Sequence, residues 1–283
     1  MNVAYLISAY KLPEQLVRLV RRLHGDSSWI AVHVDRKAPA RVYMQMVEGV
    51  SDLDRVVFVD RHVCHWGGFG HVRATLTCLD ALYASGAPFD YAVLLTGQDY
   101  PLRARGEIER FLAESNGRSY ISHWPLPHAA WAGRGGLDRV ERWHAVWRRH
   151  LHVALPLRRR LPGGLVPWGG SPYWCLARPA VDHVRQVLRT APELVRHFEH
   201  VWIPDELFFQ TIVVNSPLRD TVVNDNLRYV DWSRRPAPAV LRRDDFEAMV
   251  GSRALFARKF DVTVDAEILD LLDRHADGRT HAV

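Results

Sequence analysis

The chain has 283 residues, of which 48% are hydrophobic and 24% charged, a composition typical of a globular protein with a substantial core. Its three cysteines, Cys64, Cys78 and Cys175, lack a CxxC spacing, which argues against a disulfide framework or a zinc site. The net charge of +5 suits polyanions, membrane surfaces or phosphorylated ligands as partners.

The first apolar run, residues 4–7, is too short for a secretory leader or a membrane-spanning helix. The sequence contains no other candidate for either kind of segment. We therefore expect a cytoplasmic protein without an integral membrane segment.

The first part of the chain alternates short apolar runs with amphipathic stretches. We predict strands at residues 3–8, 29–34, 56–59, 91–95 and 120–122, and helices at 13–23, 40–50, 71–84 and 107–114. Such alternation is typical of βαβ units. It predicts an α/β fold with a mostly parallel central sheet flanked by helices.

The second part is less regular. Residues 124–170 are rich in Trp, Arg, His, Pro and Gly, and we expect loops there with one basic helix near residues 140–151. Further strands are predicted at 173–176 and 227–230, and helices at 180–189, 206–215, 244–250 and 266–276. Because internal repeats and low-complexity linkers are absent from the sequence, we predict a single domain over residues 1–283.

The stretch that begins at Pro204 contains the candidate catalytic group. Pro204 suits the first turn of a helix, and Asp205 and Glu206 follow where the helix dipole favours negative charge. A carboxylate at a helix start, above an aromatic pair, is well placed to take a proton from a bound hydroxyl. Glu206 is therefore our candidate general base; the alternative is an ordinary acidic helix N-terminus.

Polar residues also follow the predicted strands, at Ser8, Asp35 and Asp99. In sheets of this kind, ligands bind beyond the carboxyl ends of the strands. Asp35 can accept hydrogen bonds from a ribose or a uracil-type N–H, or it can cap a turn. Asp99 is at least as well suited to a turn, because Tyr100-Pro101 follows it. The absence of GxGxxG and Walker A motifs argues against dinucleotide and P-loop chemistry.

Two glycine-rich aromatic loops and one pair of cations complete the candidates. The loop at residues 64–70 allows close approach of the backbone to a ligand, and the loop at 169–174 contains Ser171 without a GxSxG pattern. Arg258 and Lys259 lie between apolar residues. Cations held rigidly beside a cleft suit a diphosphate, although such a pair is commonly a solvated edge.

Eight segments, taken in order, carry a resemblance to a known family: AYLI (4–7), HVD (33–35), WGG (66–68), LTGQDYP (95–101), GGSPYW (169–174), PDE (204–206), VNDNLR (223–228) and FARKF (256–260). Together they resemble the core-2/I-branching β-1,6-N-acetylglucosaminyltransferase family, which also includes peptide O-xylosyltransferases and plant glucuronosyltransferases. The resemblance runs over nearly the whole chain.

The resemblance implies a GT-A fold, with residues 1–120 as the nucleotide-binding half and residues 121–283 as the acceptor-binding and catalytic half. It also implies an inverting transfer from a UDP-sugar to a hydroxyl acceptor, with N-acetylglucosamine favoured over xylose. Glu206 falls on the family's catalytic base and Asp35 on an aspartate that contacts the nucleotide. Arg258 and Lys259 fall on the cations that hold the diphosphate.

The remaining site assignments rest on the same resemblance. Cys64, His65 and Trp66 fall on a segment that lines the donor pocket. We also assign donor-binding roles to Ile7, Ser8, Asp99 and Ser171, and acceptor-binding roles to Trp174 and Trp232. A further diphosphate arginine of the family falls near Arg234, Arg235 and Pro236, without a definite match. Residues 124–168 match no relative, so the acceptor is not carried over.

The resemblance implies that no metal ion or other cofactor is needed, because the metal-binding DxD motif is replaced by Gln98-Asp99. Two other classes of function stay open. A sugar- or nucleotide-binding module would keep the fold without the activity. A nucleic-acid-binding protein would use the arginines interleaved with Trp and His around residues 139–160, but the sequence has no recognised nucleic-acid motif, and we predict no such partner.

Overall fold

The computed structural model describes residues 1–147, 151–233 and 237–278. The strands in these residues are β1 (Val3–Ala9), β2 (Ser28–Val34), β3 (Val56–Phe58), β4 (Tyr91–Thr96), β5 (Asp99–Pro101), β6 (Ser119–Ile121), β7 (Trp124–Pro125), β8 (Arg142–Trp147), β9 (Leu151–Arg158), β10 (Trp168–Gly169), β11 (Trp174–Ala177), β12 (Val222–Val223), β13 (Arg228–Val230) and β14 (Phe256–Arg258).

The helices alternate with these strands. They are α1 (Pro13–Leu23), α2 (Ala40–Glu48), α3 (Gly70–Ala84), α4 (Arg105–Glu114), α5 (Ala132–Gly135), α6 (Leu137–Glu141), α7 (Arg178–Thr190), α8 (Pro192–Phe198), α9 (Phe208–Val214), α10 (Phe246–Val250) and α11 (Glu267–Ala276). No helix among the described residues is both long and apolar enough to cross a membrane.

The chain divides into two compact units. The first contains residues Met1–Asp60, Cys78–Asn116 and Leu227–Val283, and the second contains Arg61–Thr77 and Gly117–Asn226. The C-terminal segment therefore belongs to the same unit as the first strands. The assignment of nucleotide and acceptor binding to residues 1–120 and 121–283 stays a prediction.

A parallel four-stranded sheet forms the centre of the first unit, in the order β4-β1-β2-β3. β1 and β2 are almost entirely buried, as expected for parallel strands covered on both faces. Helix α1 buries its apolar stripe, which includes Leu16, Leu19 and Leu23. The predicted α/β class with a mostly parallel sheet flanked by helices is confirmed.

A second, smaller sheet in the first unit has the order β13-β14-β5. Strands β13 and β14 run parallel, and β14 pairs antiparallel with β5. In this register Arg258 lies opposite Asp99. Two candidate site residues that are far apart in the sequence are therefore neighbours across a strand pair.

The second unit has three separate strand pairings. β6 pairs antiparallel with β11 and parallel with β12, β7 pairs with β10, and β8 pairs antiparallel with β9. Every residue of α9 is buried, and the helix contacts α7 and β10. Helix α9 is therefore a core element of this unit rather than a surface helix.

Two predictions for the second unit are wrong. Instead of a basic helix near residues 140–151, β8 and β9 form an antiparallel pair, and residues 148–150 lie outside the described residues. Apolar residues at every second position of β9, namely Leu151, Val153, Leu155 and Leu157, favour a strand. The predicted helix 206–215 is also divided. Pro204–Glu206 form a separate 3-10 turn, and Leu207, at φ −135°, interrupts the backbone before α9 begins at Phe208.

Candidate active site

The turn Pro204–Glu206 in the second unit holds the candidate base. It follows Ile203, whose φ of 53° lies in the left-handed region that non-glycine residues rarely adopt. The Glu206 N–H donates to the Ile203 carbonyl at 3.2 Å, and the Glu206 carbonyl accepts from the Gly170 N–H at 2.9 Å. These backbone bonds define the point from which the Glu206 side chain extends.

The Glu206 carboxylate forms an ion pair with Arg139. Arg139 donates to Oε2 of Glu206 at 2.8 Å, and the two side chains keep 22% and 30% of their surface exposed. The Arg139 guanidinium also lies 3.9 Å from the centre of the Trp131 ring, a cation–π contact that restrains it. Sequence reasoning missed Arg139 as a site residue, because 67 positions separate it from Glu206.

The surroundings of Glu206 change its acidity. Burial raises the pKa of the Glu206 carboxyl, the neighbouring Asp205 raises it further, and Arg139 opposes both effects. Burial also raises the pKa of Asp205, against the influence of His71 and Arg139. One Asp205 oxygen, Oδ1, is buried without a hydrogen-bond partner among the described residues. Glu206 is therefore a partly exposed carboxylate whose affinity for a proton is increased, as a general base requires.

The glycine-rich loop before α3 approaches the same turn. The Ile203 N–H donates to the Gly67 carbonyl at 2.9 Å. Gly67 has a φ of +75°, and a Cβ atom there would lie 2.5 Å from the Trp202 ring. A glycine is needed at this position because both the backbone conformation and the close contact exclude a side chain.

The three residues predicted to line the donor pocket lie in this loop. Trp66 is 69% exposed and packs edge-to-face against Trp202, with 5.0 Å between the ring centres. Cys64 is buried and His65 is partly buried. The loop thus presents one large exposed aromatic surface. The donor-binding role of these residues stays a prediction.

Ser171 and Trp174 follow β10. The Ser171 carbonyl accepts a hydrogen bond from the side chain of Gln210, and the Ser171 hydroxyl accepts from the Tyr173 N–H at 3.4 Å. Trp174 is fully buried and packs on Phe209 with 5.1 Å between the ring centres. The Trp174 ring is therefore enclosed by the core, and its acceptor-binding role stays a prediction.

In the first unit, the ends of three parallel strands meet. Ser8 on β1 is paired in register with His33 on β2 and with Thr96 on β4. The preceding residue, Ile7, is fully buried, whereas Ser8 is partly exposed. The carboxyl ends of these strands therefore form one edge, which is where ligands bind in open α/β sheets.

Asp35 extends this edge. Its N–H donates to the Ala9 carbonyl at 2.8 Å, directly after β2. One carboxylate oxygen accepts from the Lys37 N–H at 2.9 Å, and the other lies 3.4 Å from the Lys37 ammonium. Asp35 therefore caps its own turn, as the alternative interpretation of the sequence proposed, and its position at the strand end is also the one that nucleotide contact requires.

Asp99 is completely buried and bonded within the protein. It accepts from the N–H and hydroxyl of Thr96 at 2.9 and 3.0 Å, and Arg258 Nε donates to it at 3.1 Å. The Lys259 side chain is partly exposed and, within the described part of the chain, has no carboxylate partner. Asp99 therefore orients Arg258, and the neighbouring ammonium is open to an anion.

The segment that carries the two cations is fixed to α1 and to the loop that precedes it. Gln15 is 1% exposed, and its amide donates to the carbonyls of Gly97 and Phe260 at 2.8 and 3.2 Å. Lys11 forms an ion pair with Asp261 at 2.7 Å. Sequence reasoning missed this anchoring, because Gln15 and Phe260 are 245 positions apart.

Two further expectations concern the rest of the predicted site. Trp232 is 50% exposed, and Arg234, Arg235 and Pro236 lie outside the described residues. No group of three or more His, Cys, Asp or Glu side chains that could hold a metal ion occurs in the described residues. Whether the chain needs a metal ion stays a prediction.

Comparison with known proteins places these residues in context. The family model described as "Core-2/I-Branching enzyme" matches residues 3–250. Xylosyltransferase 2 from Rattus norvegicus and from Homo sapiens are each 28% identical to the chain over 302 residues, which cover 98% of it and 34% of the relative. Xylosyltransferase 1 from Canis lupus familiaris is 25% identical over 300 residues, which cover 98% of the chain and 31% of the relative.

The chain thus spans about a third of the length of these curated relatives. Among solved structures, a glucose-1-phosphate thymidylyltransferase from Bacillus anthracis aligns over 65% of the chain and 75% of its own length, at 9% identity and a TM-score of 0.32. A likeness this weak carries no argument about fold or function.

Proposed function

The chain belongs to the Core-2/I-branching enzyme family, and from this premise we propose that it is an inverting glycosyltransferase. It transfers a sugar from a UDP-sugar to a hydroxyl group of an acceptor and forms a β-glycosidic bond. Neither a metal ion nor another cofactor takes part.

The observation that carries this proposal is the environment of Glu206. The carboxylate is 30% exposed, so a bound hydroxyl can reach it, and it is held in place by Arg139. Its raised pKa increases its affinity for the proton that the acceptor must lose. An ordinary acidic helix N-terminus would need neither the buried neighbouring carboxyl of Asp205 nor the interruption before α9.

The proposed reaction is a single displacement. The acceptor oxygen attacks the anomeric carbon from the face opposite to UDP, Glu206 takes the proton of the attacking hydroxyl, and the bond from the anomeric carbon to the diphosphate breaks. One base on the attacking side is sufficient for inversion. An α-linked donor therefore gives a β-linked product.

The leaving UDP develops negative charge, which Arg258 and Lys259 neutralise in this proposal. Fixed cations act on phosphate oxygens directly, without carboxylates to hold a metal ion. The support is local: Arg258 is oriented by Asp99, and the segment containing both cations is anchored by Gln15. Asp35, at the strand edge, is assigned to the uridine.

Two donors compete. The resemblance of the sequence favours UDP-N-acetylglucosamine, and we retain it as the first candidate. The relatives described above carry the name xylosyltransferase, which favours UDP-xylose as the second. Both donors demand the same base and the same diphosphate cations, so the mechanism does not depend on the choice.

The experiment that tests the proposal measures UDP release from each UDP-sugar, with EDTA present and absent, after a thermal-shift screen has identified the nucleotide sugars that bind. We expect slow release without an acceptor and loss of release in Glu206→Gln. The matched control is Glu199→Gln, because Glu199 forms a similar ion pair with Arg73, at 2.7 Å, and is 35% exposed. Binding without any turnover would instead establish a non-catalytic module, and binding of duplex DNA alone would establish a nucleic-acid-binding protein.

A further inference from the structure

Acidic and basic residues are unevenly distributed along the chain, and the proposed reaction does not explain this distribution. From Arg142 to Val181 the sequence contains no aspartate or glutamate. The same stretch contains the arginines Arg142, Arg148, Arg149, Arg158, Arg159, Arg160 and Arg178. A run of one sign on this scale creates a field that attracts an anionic partner.

The strand pair β8–β9 lies within this stretch and has two different faces. Successive side chains of a strand point to opposite faces. On one face, His152 stacks on Trp202 with 3.6 Å between the ring centres, and its ring nitrogen lies 2.7 Å from that of His144. This face is attached to the rest of the second unit at His152, whereas Ala154, Pro156 and Arg158, at the following alternate positions, are exposed.

The opposite face of β9 is aliphatic and open. Val153, Leu155 and Leu157 alternate along the strand and are 40%, 37% and 65% exposed. The pairing of β9 becomes irregular after Leu155, because Trp143 is opposite Leu155 but Arg142 is opposite Arg158. We call these three residues, together with the exposed Arg158 and Arg160 at the end of the strand, the hairpin face. Among the residues that the structure describes, the nearby carboxylates Asp138 and Glu141 pair with Arg134 and Arg142, and neither Arg158 nor Arg160 has a carboxylate partner. An aliphatic patch with a cationic rim is rarely left without a function.

The chemistry of the hairpin face favours one class of partner over the others. Nucleic acids are bound by stacking of bases on aromatic rings, but the ring nearest to this face, Trp143, is opposite Leu155 and already stacks on His200 with 4.1 Å between the centres. A second copy of the chain would place the same arginines against each other in a symmetric dimer, which costs electrostatic energy. An anionic bilayer accepts both the aliphatic side chains and the cations.

We propose that the hairpin face binds the surface of an anionic lipid bilayer. Val153, Leu155 and Leu157 enter the boundary between headgroups and acyl chains, while Arg158 and Arg160 contact the headgroup phosphates. Arg159 is not part of this contact, because it donates to the carbonyls of His197 and His200 inside the unit. The chain then acts as a peripheral protein, and the proposal holds whatever reaction it catalyses.

The test is co-sedimentation of the full chain with phosphatidylcholine vesicles, with and without phosphatidylserine. We expect sedimentation only with phosphatidylserine present, decreasing as salt is added. Leu157→Glu should lower the partition coefficient by more than about tenfold, since it removes a buried leucine and adds a repelled charge. Arg158→Gln and Arg160→Gln should each lower it by about fivefold.

The matched control is Met44→Glu, an equivalent change at a residue of α2 that is 48% exposed. It should sediment like the unchanged protein. The proposal is overturned if the chain stays in solution with both vesicles, or if Leu157→Glu and the arginine variants sediment as well as the Met44 control. It is also overturned if light scattering shows a dimer that Leu157→Glu dissociates, because the face is then an interface between copies.

Discussion

Two glutamate–arginine pairs in the second unit are geometrically alike but chemically different. The Glu206–Arg139 and Glu199–Arg73 ion pairs are 2.8 and 2.7 Å long, and their glutamates are 30% and 35% exposed, although Arg73 is more exposed than Arg139. Burial and the neighbouring carboxyl group of Asp205 raise the pKa of Glu206. The ion pair with Arg139 limits this increase and so keeps Glu206 ionised over a wider pH range. A base needs both effects in balance.

We predict that Glu206→Gln lowers kcat about a hundredfold or more, the scale on which a general base contributes, and leaves UDP affinity nearly unchanged. Steady-state kinetics and calorimetry with UDP measure the two quantities. Glu199→Gln should retain the kcat of the unchanged protein. Near-normal turnover by Glu206→Gln would remove this residue from the mechanism.

The effect of Arg139 on Glu206 should be measurable in the pH profile of kcat. In the proposed mechanism, turnover requires ionised Glu206, so kcat should fall as the pH decreases through the pKa of this carboxyl. Arg139 lowers that pKa, and Arg139→Gln should therefore shift the acid limb to higher pH. As the pH is lowered, the variant should lose activity at a higher pH than the unchanged protein. Arg73→Gln is the control. An acid limb at the same pH in both variants would mean that Arg139 has only a structural role.

Asp35 caps its own turn and, in our proposal, also contacts the nucleotide. Asp35→Ala should weaken UDP and UDP-sugar binding alike, by about tenfold, the scale of one buried hydrogen bond. Lys37→Ala is the companion variant. It removes the ammonium beside Asp35 but keeps the Lys37 backbone N–H, which donates a hydrogen bond to the Asp35 carboxylate in the turn. Equal UDP affinity of Asp35→Ala and the unchanged protein in calorimetry would leave Asp35 as a turn residue only.

At the scale of elements, the region around Glu206 shows why the start of the predicted helix 206–215 could not be located from the sequence. Proline followed by two acidic residues is a typical helix start, and the predicted helix began there. The chain instead forms a separate turn, because Ile203 adopts a positive φ and bonds to Gly67, while Gly170 bonds to Glu206. Those partners come from remote loops, and local propensity carries no information about them.

Gly67 allows a direct test of that loop arrangement. Gly67→Ala should destabilise the protein and reduce kcat, since its φ is +75° and the new Cβ would lie 2.5 Å from the Trp202 ring. Gly86 has a similar φ of +69° with no atom within 4 Å, so Gly86→Ala measures the backbone cost alone, about 1 kcal/mol. We expect Gly67→Ala to exceed it by about 1–3 kcal/mol in urea unfolding. Equal losses of stability would show that the ring moves freely.

At the scale of the molecule, the sequence predicted what is local and missed what topology brings together. The strands and the polar residues at their ends were predictable because buried parallel strands have a simple apolar pattern. The contact of Arg139 with Glu206 and the anchoring of Phe260 by Gln15 join residues 67 and 245 positions apart. Such contacts depend on how the chain returns on itself, as does the membership of Leu227–Val283 in the first unit.

The surroundings of Asp99 and Lys259 bear on whether a metal ion or a fixed cation neutralises the diphosphate. Asp99, in the position of the DxD motif, is fully buried and accepts bonds from Thr96 and Arg258. A divalent ion would have to replace those bonds. The Lys259 ammonium is partly exposed on an anchored segment, so it can meet a phosphate without rearrangement.

We therefore predict full activity in EDTA and no large stimulation by Mg²⁺ or Mn²⁺. A diphosphate leaving group must be neutralised by a divalent ion or by fixed cations, and in our proposal the chain supplies fixed cations. Lys259→Ala should cost roughly 2–4 kcal/mol of transition-state stabilisation, measured as the loss in kcat/KM, because one preorganised charge is removed. Lys259→Arg should recover part of it, since the positive charge returns with a different shape. If EDTA abolishes activity, Mn²⁺ restores it and Lys259→Ala still turns over, the charge comes from a bound ion instead.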